Sequence, residues 1–178
     1  MLDKLYITPR QWMHILRWTM YALLLLLAMM VQTVVLGNRT IFGIKPDFVP
    51  VVIVCVCLRE GPERGGLFAL LASFFWYLSG ADQGSIGIAV LTVLPVLGSV
   101  LLRSTLTNRF LPCLLFTLFT LLTQHSLMFL WRLIFDKMDG TLFFTRLLPC
   151  VLVSLLVQPP VYWLVKRIEK IGEPYEST

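Results

Sequence analysis

Long, uninterrupted apolar runs are the feature that most limits what this sequence can fold into. The stretch from Tyr21 to Val31, for example, contains no charged side chain. A bilayer core offers no water to hydrogen-bond exposed peptide groups, so only helices or a closed barrel can span it. A barrel needs segments about ten residues long in which polar and apolar residues alternate. Because the runs here do not alternate, the sequence predicts an all-α polytopic membrane protein.

Six apolar segments are separated by short polar connections and form a single transmembrane domain. The first, fifth and sixth approach the roughly 20 residues that a hydrocarbon layer about 30 Å thick requires, whereas the second and third are shorter. We expect flanking residues such as 44–47 and Ser79 to extend those two segments, and the bundle or a locally thinned bilayer to surround them. A re-entrant hairpin is less favourable, because it would place four ionisable residues at mid-membrane depth. The predicted segments are 15–36, 44–58, 65–79, 86–102, 110–131 and 147–165.

Composition supports a membrane protein and argues against a nucleic-acid partner. Hydrophobic residues make up 57% of the chain and charged residues 14%, whereas soluble domains average roughly 45–50% and 25%. The net charge of +5 comes from Lys and Arg residues that stand singly or in pairs between apolar runs. A nucleic-acid site would gather them on one face. We therefore assign the basic residues to the edges of the membrane segments.

Positive charge is divided unevenly between the two sides of the predicted membrane protein. Six crossings place both termini and the second and fourth connections on one side, which carries ten basic residues against five on the other. Connections rich in Lys and Arg stay in the cytoplasm, so both termini are predicted to be cytoplasmic. The ten are Lys4, Arg10, Arg17, Arg59, Arg64, Arg103, Arg109, Lys166, Arg167 and Lys170, and the five are Arg39, Lys45, Arg132, Lys137 and Arg146.

Polar side chains within the apolar segments are few, and in a bilayer such residues face protein or a cavity. On the fifth and sixth segments they recur at helical spacing, so each set forms a stripe on one face. Hydrogen bonding between helices is one explanation, and a cavity that binds a ligand is the other. The stripes are Thr117, Thr120 and Gln124, and Ser154, Gln158 and Tyr162. The candidate cavity residues are Gln32, Thr117, Gln124, His125, Ser154 and Gln158.

No catalytic, metal or cofactor site is expected from the sequence. We interpret His125 as a packing residue, because a proton relay also needs a carboxylate nearby and the fifth and sixth segments contain none. Pairing of His125 with Asp82 is the weaker alternative. Nucleophilic side chains need a base and an orienting partner, and no such arrangement is recognisable. The four cysteines lie in apolar runs without the spacing of structural zinc ligands, so we interpret them as small hydrophobic residues.

Three motifs follow one another in a characteristic order. They are Lys45-Pro46-Asp47 before the short second segment, the charged turn Gly61-Pro62-Glu63-Arg64-Gly65-Gly66, and Leu78-Ser79-Gly80 followed by Gly84 and Gly87. With these motifs, its length, its six segments and its basic C-terminal end, the chain resembles the MreD family of bacterial rod shape-determining membrane proteins. That family commonly has an acidic residue shortly before the Ser-Gly pair, where this chain has Trp76 and Tyr77. Any role that this acidic residue has in the family is therefore not assigned to this chain.

The resemblance implies a multi-pass protein of the bacterial cytoplasmic membrane, with a fold similar to the substrate-binding subunits of energy-coupling-factor vitamin transporters. It also implies a non-catalytic role in wall elongation. In this role MreD binds MreC, which has one transmembrane helix and an exterior domain. Together they control the peptidoglycan synthase formed by RodA and a penicillin-binding transpeptidase, in coordination with MreB filaments.

Two other functions stay open at the level of the sequence. The first is a vitamin-binding subunit of an energy-coupling-factor transporter, which would explain the polar stripes. The second is a polytopic protein with neither role. A small molecule that co-purifies with the chain would favour the transporter, and a neighbouring gene for a single-span coiled-coil protein would favour the MreD-like role.

The short second and third segments should leave groove or end surface for a partner helix. Our first candidate for contact with MreC is the exterior connection after the third segment, because small residues let two backbones approach closely. Asp47 and Asp82, both predicted on the exterior side, could meet basic groups of the partner. The glycines could equally serve only to reverse the chain. The candidate contact residues are Asp47, Gly80, Asp82, Gly84 and Gly87.

The charge distribution generates a test of topology. A reporter enzyme that is active only outside the cytoplasm should stay inactive when it is fused before Met1 or after Thr178, because both termini are predicted to be cytoplasmic. The same reporter inserted in the connection after Leu36 should be active. Activity at either terminus, measured at equal fusion abundance, would refute the predicted orientation.

Overall fold

The computed structural model shows an all-helical protein over residues 9–35, 46–80, 84–102, 110–136 and 148–171, which are the residues it describes. This confirms the all-helical class predicted from the sequence. Six α-helices are present in these ranges, and the first of them continues as a π-helical turn, Val31–Val35. They are α1 (Pro9–Met30), α2 (Phe48–Glu60), α3 (Pro62–Leu78), α4 (Gly84–Leu102), α5 (Phe110–Asp136) and α6 (Leu148–Lys170).

Within the described ranges, three stretches are long and apolar enough to cross a membrane, and they correspond to the first, fifth and sixth predicted segments. α2 and α3 have 13 and 17 residues, which gives about 20 and 25 Å at a rise of about 1.5 Å per residue. Both are shorter than a hydrocarbon layer of about 30 Å. The chain is therefore membrane-associated, and six full crossings stay a prediction. The three stretches are Gln11–Val34, Phe110–Trp131 and Pro149–Lys170.

The ends of the two short helices differ from the prediction. Asp47 is not part of α2 but precedes it in an extended conformation, with φ −98° and ψ 100°. α3 stops at Leu78, with Ser79 as its cap, and gains its length at the other end, where Pro62 begins the helix. Proline is favoured there because the first helical N–H groups have no partner within the helix. Residues 44 and 45 lie outside the described ranges.

α2 lies at the centre of the bundle and packs against each of the other five α-helices. Its residues from Val49 to Leu58 are all buried, as expected for a helix that is apolar on every side. α2 therefore leaves no side surface for a partner helix, contrary to our expectation for the second segment. α3 does expose one face, formed by Leu67, Leu70, Leu71, Phe74, Phe75 and Leu78.

Contacts between consecutive helices show that they run in opposite directions. Gly65, near the start of α3, faces the backbone of Cys57, near the end of α2. Gly98, late in α4, faces the ring of Phe116, early in α5. In the same way, the π-helical turn at the end of α1 meets the start of α2. This alternation is the arrangement that consecutive membrane crossings require.

Polar contacts at both ends of α2 show that α2 and α6 run parallel. The backbone N–H of Asp47 donates to Ser154 Oγ at one end, and Arg59 pairs with Glu169 at the other. We call these two sides of the bundle the Asp47 end and the Arg59 end. At the Arg59 end, Glu60 also pairs with Arg17 of α1. The last turn of α2 is thus joined by ion pairs to α1 and to α6.

The charged turn between α2 and α3 depends on glycine at two positions for different reasons. Gly61 has a φ of +87°, a conformation that L side chains rarely adopt. A Cβ atom added at Gly65 would lie 2.6 Å from the Cα of Cys57. Gly61 therefore reverses the chain, and Gly65 lets α3 approach α2.

The close approach at Gly65 predicts a difference between two neighbouring glycines. Gly65→Ala should lower the free energy of unfolding by about 1–3 kcal/mol, because its methyl group meets backbone that cannot move aside. Gly66→Ala should cost less, since its methyl group would meet only a side-chain methyl of Val96, at 2.9 Å. The measurement is thermal unfolding of both purified variants in the same detergent. Equal midpoints for the two variants would contradict the proposed packing.

Candidate functional site

The start of α2 is capped by a residue from α1 rather than by its own Asp47. Aspartate is among the favoured N-cap residues because its side chain accepts hydrogen bonds from the first N–H groups. Here Asp47 makes no such bond. Instead, Gln32 Oε1 accepts from the backbone N–H groups of Phe48 at 2.9 Å and Val49 at 3.2 Å. The carboxylate of Asp47 is therefore available for other partners.

Gln32 reaches this position from the π-helical turn that follows α1. π-Helical turns are rare and are found frequently at functional sites. While its oxygen caps α2, its Nε2 donates to Asp47 Oδ1 at 2.7 Å. One amide side chain therefore caps the helix and fixes the orientation of the carboxylate.

The second oxygen of the Asp47 carboxylate faces a histidine. Asp47 Oδ2 lies 3.0 Å from His125 Nε2 of α5. The side chains of His125 and Asp47 are 21% and 12% exposed, so the pair is mostly buried but not sealed. His125 thus has the carboxylate neighbour that we did not expect from the fifth and sixth segments, and it comes from the start of the second. Asp82, the alternative partner, lies outside the described residues.

α6 contributes a thiol and a hydroxyl from positions one helical turn apart. Cys150 Sγ lies 3.9 Å from His125 Nε2. Ser154 Oγ accepts from the backbone N–H of Asp47 at 2.9 Å and donates to the carbonyl of Cys150 at 2.8 Å. Ligand atoms of Asp47, His125 and Cys150 all lie within 4.8 Å of one another. We call these three residues, with Gln32 and Ser154, the Asp47 cluster.

Both polar stripes face inward, in agreement with the prediction from their spacing. Five of the six candidate cavity residues nevertheless separate into two groups. Gln32, His125 and Ser154 belong to the Asp47 cluster, whereas Thr117 and Gln158 meet at Cys113, with Thr117 donating to its carbonyl at 2.8 Å and Gln158 to its Sγ at 3.6 Å. The fully or almost fully buried stripe residues are Thr117 (0%), Thr120 (0%), Gln124 (2%), Ser154 (0%), Gln158 (0%) and Tyr162 (8%).

The candidate partner-contact residues in the described ranges lie at the Asp47 end. Gly80 follows α3 with a φ of +79° and acts in a turn. Gly84 and Gly87 stand in the first turn of α4, where Gly87 is buried. Asp47 is 8% exposed and is engaged inside the protein. It is therefore poorly placed to meet a basic group of a partner, which was the role suggested by the sequence.

Sequence reasoning identified His125, Ser154 and Gln32 but did not connect them with Cys150. The spacing of the cysteines does not point to His or Asp as a partner, and the residues of the cluster come from four separate parts of the chain. One signal was available: an aspartate directly before an apolar helix should cap that helix, and a second capping side chain in the preceding segment leaves the aspartate for another role.

The cluster brings together a carboxylate, an imidazole and a thiol, and each of them can hold or transfer a proton or bind a metal ion. A hydroxyl and an amide fix the positions of these groups through hydrogen bonds. No protein-family model, curated protein or solved structure matches this chain.

Proposed function

We propose that this chain is a non-catalytic membrane component of the bacterial wall-elongation machinery that acts as MreD does. The observation that carries the proposal is the short α2, buried along its length between the Pro46-Asp47 step and the Gly61–Gly66 turn. These are two of the three motifs on which the resemblance rests. Each motif has a defined structural role here. The Pro46-Asp47 step precedes the central helix α2, and the Gly61–Gly66 turn lets α2 pack against α3.

In this proposal the chain crosses the bacterial cytoplasmic membrane six times with both termini in the cytoplasm. The alternating direction of consecutive helices supports this topology. α2 can cross despite its length because the surrounding helices, not lipid, cover its sides. α3 and α4 can cross where the bilayer is locally thinned. The Asp47 end then faces the exterior and the Arg59 end faces the cytoplasm.

Burial of the polar stripes supports a scaffold over a vitamin-binding transporter subunit. A vitamin site needs space beside its polar lining, and pockets for small molecules typically measure about 300–1,000 Å³. Thr117, Ser154 and Gln158 are each 0% exposed, so no space of even water size adjoins them. Thr117 and Ser154 also donate to carbonyl groups of their own helices. Thr117 and Gln158 therefore act in helix packing, and Ser154 links α6 to the start of α2.

The proposed direct partner is MreC, through which the chain would act on RodA and the penicillin-binding transpeptidase in concert with MreB. From Leu67 to Leu78 the exposed face of α3 is apolar, with residues such as Phe74 at helical spacing. It can accommodate the single transmembrane helix of MreC. At the Asp47 end this face leads to Gly80 and the start of α4, which we assign to the base of the MreC exterior region.

Substitution at Gly84 tests the assignment of the MreC contact. Gly84 stands in the first turn of α4, so Gly84→Ala should leave abundance and MreC recovery unchanged. Gly84→Leu should reduce recovery of MreC about tenfold, equivalent to about 1.4 kcal/mol of binding free energy. The measurement is the amount of MreC co-purified from native membranes, divided by the membrane abundance of each variant.

Ala22→Leu provides the control, because it places the same leucine side chain at an exposed position on α1. This variant should retain full recovery of MreC. Full recovery with Gly84→Leu at normal abundance would overturn the contact assignment. Absence of MreC from complexes with the unaltered chain would overturn the proposed function itself.

A further inference from the structure

We propose that Asp47, His125 and Cys150 form a binding site for a divalent transition-metal ion of the zinc class. This inference is independent of the proposed scaffold role and rests on the geometry at the Asp47 end. Carboxylate oxygen, imidazole nitrogen and thiolate sulfur are the three ligand types that zinc uses in proteins. All three are present, one from each of three elements that meet there.

The spacing of the ligand atoms fits one ion between them. Zinc binds oxygen and nitrogen at about 2.0–2.1 Å and sulfur at about 2.3 Å, so a tetrahedral site separates oxygen from nitrogen by about 3.3 Å and nitrogen from sulfur by about 3.6 Å. The corresponding distances are 3.0 Å from Asp47 Oδ2 to His125 Nε2 and 3.9 Å from His125 Nε2 to Cys150 Sγ. These two distances need shifts of only a few tenths of an ångström. The carboxylate and Cys150 Sγ, which lie within 4.8 Å of each other, would also close to about 3.6 Å as the ion binds.

The charges of the three ligands also suit a divalent ion in a membrane protein. One carboxylate and one thiolate carry two negative charges, and a neutral imidazole adds none, so bound Zn²⁺ would give a site with no net charge. A neutral site avoids the cost of an unpaired charge in a low-dielectric surrounding. On binding, the thiol of Cys150 gives up its proton to solvent, and the ion takes the position of any proton on His125 Nε2.

Hydrogen bonds around the ligands hold them in place before the ion arrives. Gln32 donates to Asp47 Oδ1, which leaves Oδ2 directed to His125. Ser154 accepts from the Asp47 N–H and donates to the Cys150 carbonyl, so it links two of the three ligand residues. Outer partners of this kind orient metal ligands and tune their affinity.

Three protein ligands leave the fourth tetrahedral position for water or for a side chain of another molecule. Structural zinc sites are filled by four protein ligands, so this set resembles the open type. The partial exposure of His125 gives an ion access to the site. A bound ion would connect the start of α2 with α5 and α6 and should therefore raise the temperature at which the protein unfolds.

Cobalt substitution tests the site directly. The full chain, purified in detergent with its affinity tag removed and treated with a chelator, is titrated with Co²⁺ alone. We expect one equivalent to bind with a thiolate-to-cobalt charge-transfer band in the near ultraviolet, and Zn²⁺ to abolish the band by displacement. Zn²⁺ should also raise the unfolding midpoint of the metal-free protein.

Variants distinguish this site from adventitious binding. Cys150→Ser should abolish the charge-transfer band and the Zn²⁺-dependent rise in midpoint, and Asp47→Asn should weaken Zn²⁺ binding at least about tenfold. Cys57→Ser, at a buried cysteine toward the Arg59 end of α2, should retain both effects. Midpoints in the absence of metal check that each variant is folded. No thiolate band in the unaltered protein, or an equal band in Cys150→Ser, would overturn the proposal.

Discussion

The structure depends on the position of α2. This helix is too short to cross a bilayer by itself and lies fully inside the protein. α2 is apolar on every side, but its terminal N–H and C=O groups and its flanking charges cannot be left in hydrocarbon, where each unsatisfied polar group costs several kcal/mol. The neighbouring helices therefore have to supply partners at both ends. Gln32 does so at the start, where it caps the first N–H groups. Tyr21 does so at the finish, where its hydroxyl donates to Glu60 at 2.7 Å.

The two charges that end α2 also fix which helix lies on which side of it. Glu60 meets Arg17 of α1, and Arg59 meets Glu169 of α6. Exchanging α1 and α6 around α2 would bring Arg59 toward Arg17 and place two carboxylates together. Removing one partner from a buried ion pair typically costs about 3–5 kcal/mol, because the other charge is left uncompensated. Because Arg59 and Glu60 are adjacent and carry opposite charges, only the observed placement of α1 and α6 around α2 is favourable.

The sequence predicts the helices well because bilayer physics acts on each segment separately, whereas the site depends on contacts between segments. Apolar length located all six helices, yet hydropathy places Glu63 and Arg64 in a connection although both are helical. The overlooked signal was Pro62, a residue that begins helices. The polar stripes could be read from spacing alone. The meeting of Asp47 with His125 and Cys150 could not, since it is set by how α2, α5 and α6 pack.

The two ends of α2 differ in what their polar groups accomplish. At the Arg59 end each side-chain charge is matched by an opposite charge from a neighbouring helix. At the Asp47 end the side chains of Gln32 and Ser154 accept from the backbone N–H groups, so the carboxylate is not needed for capping. Buried polar groups can often be replaced by apolar residues at no loss of stability. A carboxylate, an imidazole and a thiol held together without a capping role are therefore better explained by binding than by folding. Their position at the same end of the bundle as Gly80 and the start of α4 places that binding on the side for which we propose the partner contact.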